Sequence, residues 1–161
     1  MRFQFPYAEA GRKTPDRPPV LEATWLAAIE VARHRDGKLV VGGRSMGGRI
    51  ASQVVANQTA VDALALFAYP LHPPGRPEQR RDAHLASIQV PTLFCSGTND
   101  AFATPEELRE AATKVPSSLV HILDGADHSF RAPKRVRPSQ EQIWREAVDA
   151  LIDWLPSRGR E

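Results

Sequence analysis

The chain has 161 residues, 42% of them hydrophobic and 25% charged, with a single cysteine. That length and ordinary usage fit one domain over residues 1–161 with one sizeable core, and they exclude disordered, collagen-like and disulfide-framed chains. Lys plus Arg number 21 against 19 for Asp plus Glu, a net +2 that is too even to imply nucleic acid. No window approaches the roughly 18 consecutive apolar residues of a membrane span. The first residues lack a leader pattern, and Cys95 has no partner for an internal disulfide, so a cytoplasmic protein without a membrane partner is expected.

Short β-like runs alternate with helical runs along the chain. The strands expected are Arg2 to Tyr7, Lys38 to Gly42, Ala63 to Tyr69, Val90 to Ser96 and Ser118 to Leu123, each apolar or alternating and bounded by Gly, Pro, Asn or Asp. Several are nearly continuous apolar runs, which belong inside a parallel sheet covered on both sides. A helix over Val20 to Arg33 follows Pro18 and Pro19 and carries Leu21, Trp25, Ala28, Ile29 and Ala32 on one face. Thr104, Pro105, Glu106 and Glu107 spell a capping box before Leu108, Ala111 and Ala112. Ser139 and Gln142 repeat that logic before Ile143, Ala147, Val148, Leu151 and Leu155. The expected fold class is therefore α/β, a doubly wound, mainly parallel sheet of about five strands with helices on both faces. Pro70 to Ala83, with four prolines, is expected to be a solvated excursion, and Arg131 to Pro138 a basic solvated loop.

The informative stretch is Gly43-Arg44-Ser45-Met46-Gly47, which lies between an apolar strand and a helix carrying Ile50, Ala51, Val54 and Val55. In that setting Gly-x-Ser-x-Gly is a nucleophile elbow. Side chains at Gly43 and Gly47 would collide across the turn, while the turn lifts Ser45 clear of the sheet. The Met46 N–H, unpaired at the helix start, can donate to an oxyanion. The glycines fit neither the dinucleotide nor the P-loop spacing, so phosphate binding is the weaker reading.

A serine needs a base and an orienting acid. Asp100 follows the strand ending at Ser96 and precedes the capping box, and His128 follows the last strand. The order Ser45, Asp100, His128 is that of α/β-hydrolases. The stretches Gly42 to Arg49, Cys95 to Phe102 and Gly125 to Phe130 resemble α/β-hydrolases of the dienelactone-hydrolase-like group. With Phe5 to Tyr7, Gly11 to Asp16 and Tyr69 to Gly75 they resemble the branch typified by testis-expressed protein 30 and its bacterial relatives. The resemblance implies Ser45 as nucleophile, His128 as base and Asp100 as the acid that fixes the imidazole tautomer. Members of that branch have further strands before their Phe-Pro-Tyr segment, including a His-Gly loop that gives a second oxyanion N–H. This chain begins at that segment, so it is expected to lack the N-terminal strands and that loop.

Competing residues have blander readings. Asp127 adjoins His128 and is poorly placed to orient it, Asp124 with Gly125 suits a turn, His121 suits a packed strand histidine, and His72 and His84 suit a solvated loop. Cys95 reads as a small strand hydrophobe. Arg44 and Arg49 are more specific: Arg44 either meets an anionic substrate group or fixes the elbow through an ion pair. No zinc spacing is present, so neither metal nor cofactor is expected. The functional expectation is a serine hydrolase of a small-molecule acyl substrate, against a non-catalytic scaffold that binds a partner. With no strand between Arg2 to Tyr7 and the elbow strand Lys38 to Gly42, either Arg2 to Tyr7 pairs directly with the elbow strand or a second copy covers the exposed side, and a homodimer burying that side is expected.

Overall fold

The computed structural model describes residues 1–34, 37–137 and 139–155. In chain order the elements are α1 (Pro6–Glu9), α2 (Pro18–Arg33), β1 (Val40–Arg44), α3 (Met46–Ala56), β2 (Ala63–Phe67), a 3-10 turn (Ala83–Ser87), β3 (Thr92–Asn99), α4 (Pro105–Ala112), β4 (Ser118–Asp127) and α5 (Gln140–Trp154). The sheet has four parallel strands in the order β1-β2-β3-β4, with Val40 opposite Ala63, Leu64 opposite Thr92 and Thr92 opposite Ser118. Each strand steps to its neighbour in one direction. Right-handed crossovers therefore place α3, the 3-10 turn and α4 on one face.

Adjacent residues of β3 report the two layers, since successive side chains on a strand point to opposite faces. Phe94 packs with Ile50 and Val54 of α3, Leu85 and Ile88 of the 3-10 region, Leu108 of α4 and, beyond them, Trp25 of α2. Cys95 packs with Leu123, Phe130, Ile143 and Ala147 beneath α5. Helices thus cover both faces, as the sequence implied. Burial pushes the Cys95 thiol up to about 12, the behaviour of a strand hydrophobe.

The strand expected over Arg2 to Tyr7 does not form. Phe5 leads into α1, which starts at Pro6, a residue without the N–H that a ladder needs. The alternating aromatics serve packing instead: the rings of Phe3 and Trp25 meet edge-on at 4.8 Å, and those of Phe3 and Phe5 at 5.9 Å. A groove of about 420 Å³ separates this segment from β1, lined by Phe3, Phe5, Trp25, Ile29, Val41 and Gly42. Other differences are local. β4 runs on through Asp124 and Gly125, where a register shift opposite Gly97 and Asn99 replaces the expected turn. Val148 is exposed on α5, and the excursion after β2 is solvated only in its middle, because Tyr69, Leu71, His72 and Asp82 are buried. Of the basic loop, Arg131, Lys134 and Arg135 are exposed as expected, whereas Pro138 lies outside the described residues. No helix among the described residues is long and apolar enough to cross a membrane.

Both expected caps are present. Thr104 and Glu107 form the reciprocal capping box of α4, and the Gln142 N–H donates to Ser139 Oγ at the start of α5. The buried end of the excursion is tied to α4 through Asp82, which accepts from Arg80 at 2.8 Å and Lys114 at 2.9 Å. Burial alone raises the Asp82 pKa, but the hydrogen bonds and charges of Arg80 and Lys114 outweigh it and hold the carboxyl below its usual range. A depressed carboxylate stabilises the fold above its unfolded pKa and loses that contribution as pH falls through the folded value. Asp82→Asn should cost about 1–3 kcal/mol at pH 7. Melting temperatures measured down to about pH 3 should show that deficit shrink once the wild-type carboxyl protonates.

Candidate active site

Because all four strands run the same way, the loops after β1, β3 and β4 emerge at one end of the sheet, and they carry Ser45, Asp100 and His128. The structure brings the three together. Ser45 Oγ lies 2.8 Å from His128 Nε2, and His128 Nδ1 lies 3.0 Å from both Asp100 oxygens. With Nδ1–H given to the carboxylate, the Nε2 lone pair faces the serine hydroxyl, which donates to it.

Ser45 has φ 52° and ψ −126°, a backbone conformation that costs of the order of 1–3 kcal/mol and persists only when its surroundings over-determine it. Its N–H donates to the Phe67 carbonyl of β2 (2.8 Å), and its carbonyl accepts the Arg49 N–H (3.0 Å). The crowding that enforces the turn differs from the sequence expectation. A Cβ on Gly43 would stand 2.8 Å from both Gly47 C and Gly48 N, and one on Gly48 would collide with the Gly43 carbonyl. A Cβ on Gly47 would meet nothing. Gly47 instead offers its carbonyl to Trp25 Nε1 (3.0 Å), which ties α2 to the elbow. The Met46 N–H begins α3, where no intrahelical carbonyl faces it.

Asp100 is buried, and its carboxylate also accepts the Ser96 hydroxyl (2.9 Å) and the Phe102 N–H (2.9 Å). The Phe102 ring lies 4.1 Å from the imidazole of His128, tilted by 32°. Neither Ser96 nor Phe102 was singled out from sequence. The Asp100 to Phe102 spacing is that of an Asx turn and could have been read, whereas the reach of Ser96 depends on how the chain turns after β3.

The remaining candidates have structural partners. Asp127 accepts the N–H groups of Ser129 (2.7 Å) and Arg131 (2.9 Å) and shapes the loop that holds His128, so it does not compete with Asp100. Arg44 donates to the His128 carbonyl at 2.6 Å and lies 5.9 Å over the Phe130 ring. It joins the elbow to the histidine loop through a carbonyl, not through the ion pair that is one of its two sequence readings. His121 faces Glu146 of α5 at 3.2 Å. His72 is not a solvated loop residue: it is buried between the Pro73 carbonyl (2.8 Å) and the Glu107 carboxylate (3.2 Å). His84 meets Ser52 Oγ at 2.8 Å. Among the described residues no group of three or more His, Cys, Asp or Glu is placed to hold a metal ion.

A sheet of this topology with a strained serine between strand and helix defines an α/β-hydrolase fold. The chain belongs to the alpha/beta hydrolase domain family, whose model matches residues 1–156. Solved structures agree. Est1E of Butyrivibrio proteoclasticus, seen with ferulic acid bound, is 12% identical with a TM-score of 0.66, over 87% of this chain and 70% of that one. A monoacylglycerol lipase of Paleococcus ferrophilus is 14% identical, TM-score 0.67, over 89% and 78%. A thermophilic esterase of Thermogutta terrifontis is 21% identical, TM-score 0.61, over 84% and 71%. At these identities the likeness is one of fold.

The two elbow glycines are separable by experiment. Gly43→Ala should lower stability by about 1–3 kcal/mol through backbone overpacking. Gly47→Ala should be neutral or stabilising by up to about 1 kcal/mol, as for any open helical glycine. Chemical denaturation of the two variants checks the contrast.

Proposed function

We propose that the protein is a serine hydrolase of esters or related acyl compounds, with Ser45 as nucleophile, His128 as general base and acid, and Asp100 as the group that orients the imidazole. The observation that carries this reading is the continuous hydrogen-bonded line from Ser45 Oγ through His128 to the buried Asp100 carboxylate, at 2.8 and 3.0 Å. In the first half-reaction Ser45 Oγ attacks the substrate carbonyl carbon while its proton passes to His128 Nε2. The Met46 N–H donates to the resulting oxyanion. Collapse breaks the bond to the alcohol, which leaves with the proton from His128. Water then repeats the sequence on the acyl-serine, giving its proton to His128 and releasing the acid. Asp100 stays ionised and stabilises the imidazolium.

The scaffold reading is not favoured. A turn kept only for packing gains nothing from holding Ser45 at φ 52° beneath a histidine whose other nitrogen is satisfied by a buried acid. Arg44, engaged with the His128 carbonyl, supports the reading as a positioning residue and not as a substrate contact. The dienelactone-hydrolase-like resemblance remains part of this proposal, as does a small-molecule substrate handled without metal or cofactor.

A fluorophosphonate probe should add one adduct to the wild type by intact mass and none to Ser45→Ala. Labelling that persists in the variant removes Ser45 from the role. Asp100→Asn should lower turnover of p-nitrophenyl esters by about 10³–10⁴-fold while the fold is retained. We also propose a homodimer in which a second copy covers the groove beside β1. Sedimentation equilibrium at micromolar concentration that gives only monomer excludes it.

A further inference from the structure

Arg49 and Ser52 stand at i and i+3 on one face of α3, the helix whose N-cap is Ser45. Four residues of helix rise about 6 Å, so the Arg49 backbone lies about one turn along α3 from the elbow. That face is covered by the segment that follows β2. Tyr69 donates its hydroxyl to the Arg81 carbonyl (2.7 Å), and His84 meets Ser52 Oγ.

Within this enclosure the charges do not balance. Arg49 is half-buried, and its Nε is buried with no hydrogen-bond partner among the described residues. Burial, and then the charge of Arg81, lower the Arg49 pKa from its usual value. Burial and Arg49 likewise lower the pKa of His84, and burial pushes the Tyr69 hydroxyl up to about 12. The nearby acid, Asp82, is already held by Arg80 and Lys114 at 2.8 and 2.9 Å. A guanidinium beside a second one, with a buried N–H that has no partner among the described residues, is costly unless an anion joins them. A planar guanidinium fork suits a carboxylate or phosphate group.

We propose that Arg49 and Arg81, with the Tyr69 hydroxyl and His84 beside them, form an anion subsite one helical turn from Ser45. In the reading of Ser45 as nucleophile, on which its use in catalysis rests, the subsite takes the acidic end of an ester substrate. Selectivity for acid-bearing esters is then set by the side of α3 away from α2 and by Tyr69 and Arg81 at the two ends of the segment after β2.

Two measurements test this separately from the nucleophile. The first compares kcat/KM for mono-p-nitrophenyl succinate with that for p-nitrophenyl butyrate. Arg49→Met and Arg81→Met should each lower the acidic-to-neutral ratio by about tenfold, and Arg49→Lys should retain part of it. An unchanged ratio overturns the subsite as a substrate site. The second is calorimetric titration of succinate and of inorganic phosphate, with no turnover involved. Binding by the wild type that is lost in Arg49→Met supports the subsite, and its two arms tell a carboxylate site from a phosphate site. Absence of binding by either anion overturns it. Should neither ester be hydrolysed while succinate binds through Arg49, the nucleophile reading fails and the subsite stands. Arg49→Met should also raise Tm in anion-free buffer, because it removes a half-buried guanidinium whose buried Nε–H is unsatisfied. A fall in Tm would mark Arg49 as a purely structural residue and overturn the proposal.

Discussion

The backbones of Gly43, near the end of β1, and Gly48, in the first turn of α3, approach until neither residue could carry a side chain. This contact holds the turn between them so tightly that Ser45 stays in a conformation that a free serine avoids. Everything near the site is arranged around that turn. The Ser45 N–H is used by β2, its carbonyl by α3, and the next carbonyl but one, that of Gly47, by Trp25 of α2. With the backbone fixed on three sides, the hydroxyl is left to face His128.

The other two members depend on the parallel sheet. A parallel ladder gives every strand the same C-terminal end, so residues 45, 100 and 128, far apart in sequence, meet above that end of the sheet, with β2 between the strands that carry Ser45 and Asp100. Asp100 is fixed by its own local turn, through the Phe102 N–H, and by Ser96 from the end of β3. His128 is fixed by the Asp127 turn behind it, by the Phe102 ring beside it and by Arg44 from the elbow. Arg44 therefore couples the serine loop to the histidine loop, so the two cannot shift independently without losing that hydrogen bond.

The opposite side of α3 is packed and apolar, whereas the face with Arg49 and Ser52 is polar and leaves the Arg49 Nε without a hydrogen-bond partner among the described residues. This asymmetry is what distinguishes the segment after β2 from an ordinary surface loop. Its buried ends, Tyr69 to His72 and Asp82, fasten it to α4 and to the 3-10 turn, while the prolines between them keep its exposed part stiff.

Much of the molecule was legible in the sequence. The alternation of apolar runs with capped helices specified a parallel α/β sheet, and both caps stand where Thr104 and Ser139 announced them. Gly-x-Ser-x-Gly between strand and helix, followed in order by Asp100 and His128, picked out three residues that the structure brings within hydrogen-bonding distance, because each of those signals is local and rests on backbone sterics or chain order. The misreadings arose where a local pattern had two tertiary outcomes. The aromatics of Arg2 to Tyr7 alternate as a strand would, yet their rings were taken up by Trp25 and Pro6 broke the ladder. Gly125 was read as a turn, yet its carbonyl and N–H are used by Asn99 and Thr98 of the neighbouring strand. Which glycine is crowded, which acid is buried and which arginine is left without a partner depend on distances between segments far apart in the chain. Periodicity and spacing carry no such distances, so only the packed tertiary structure decided them.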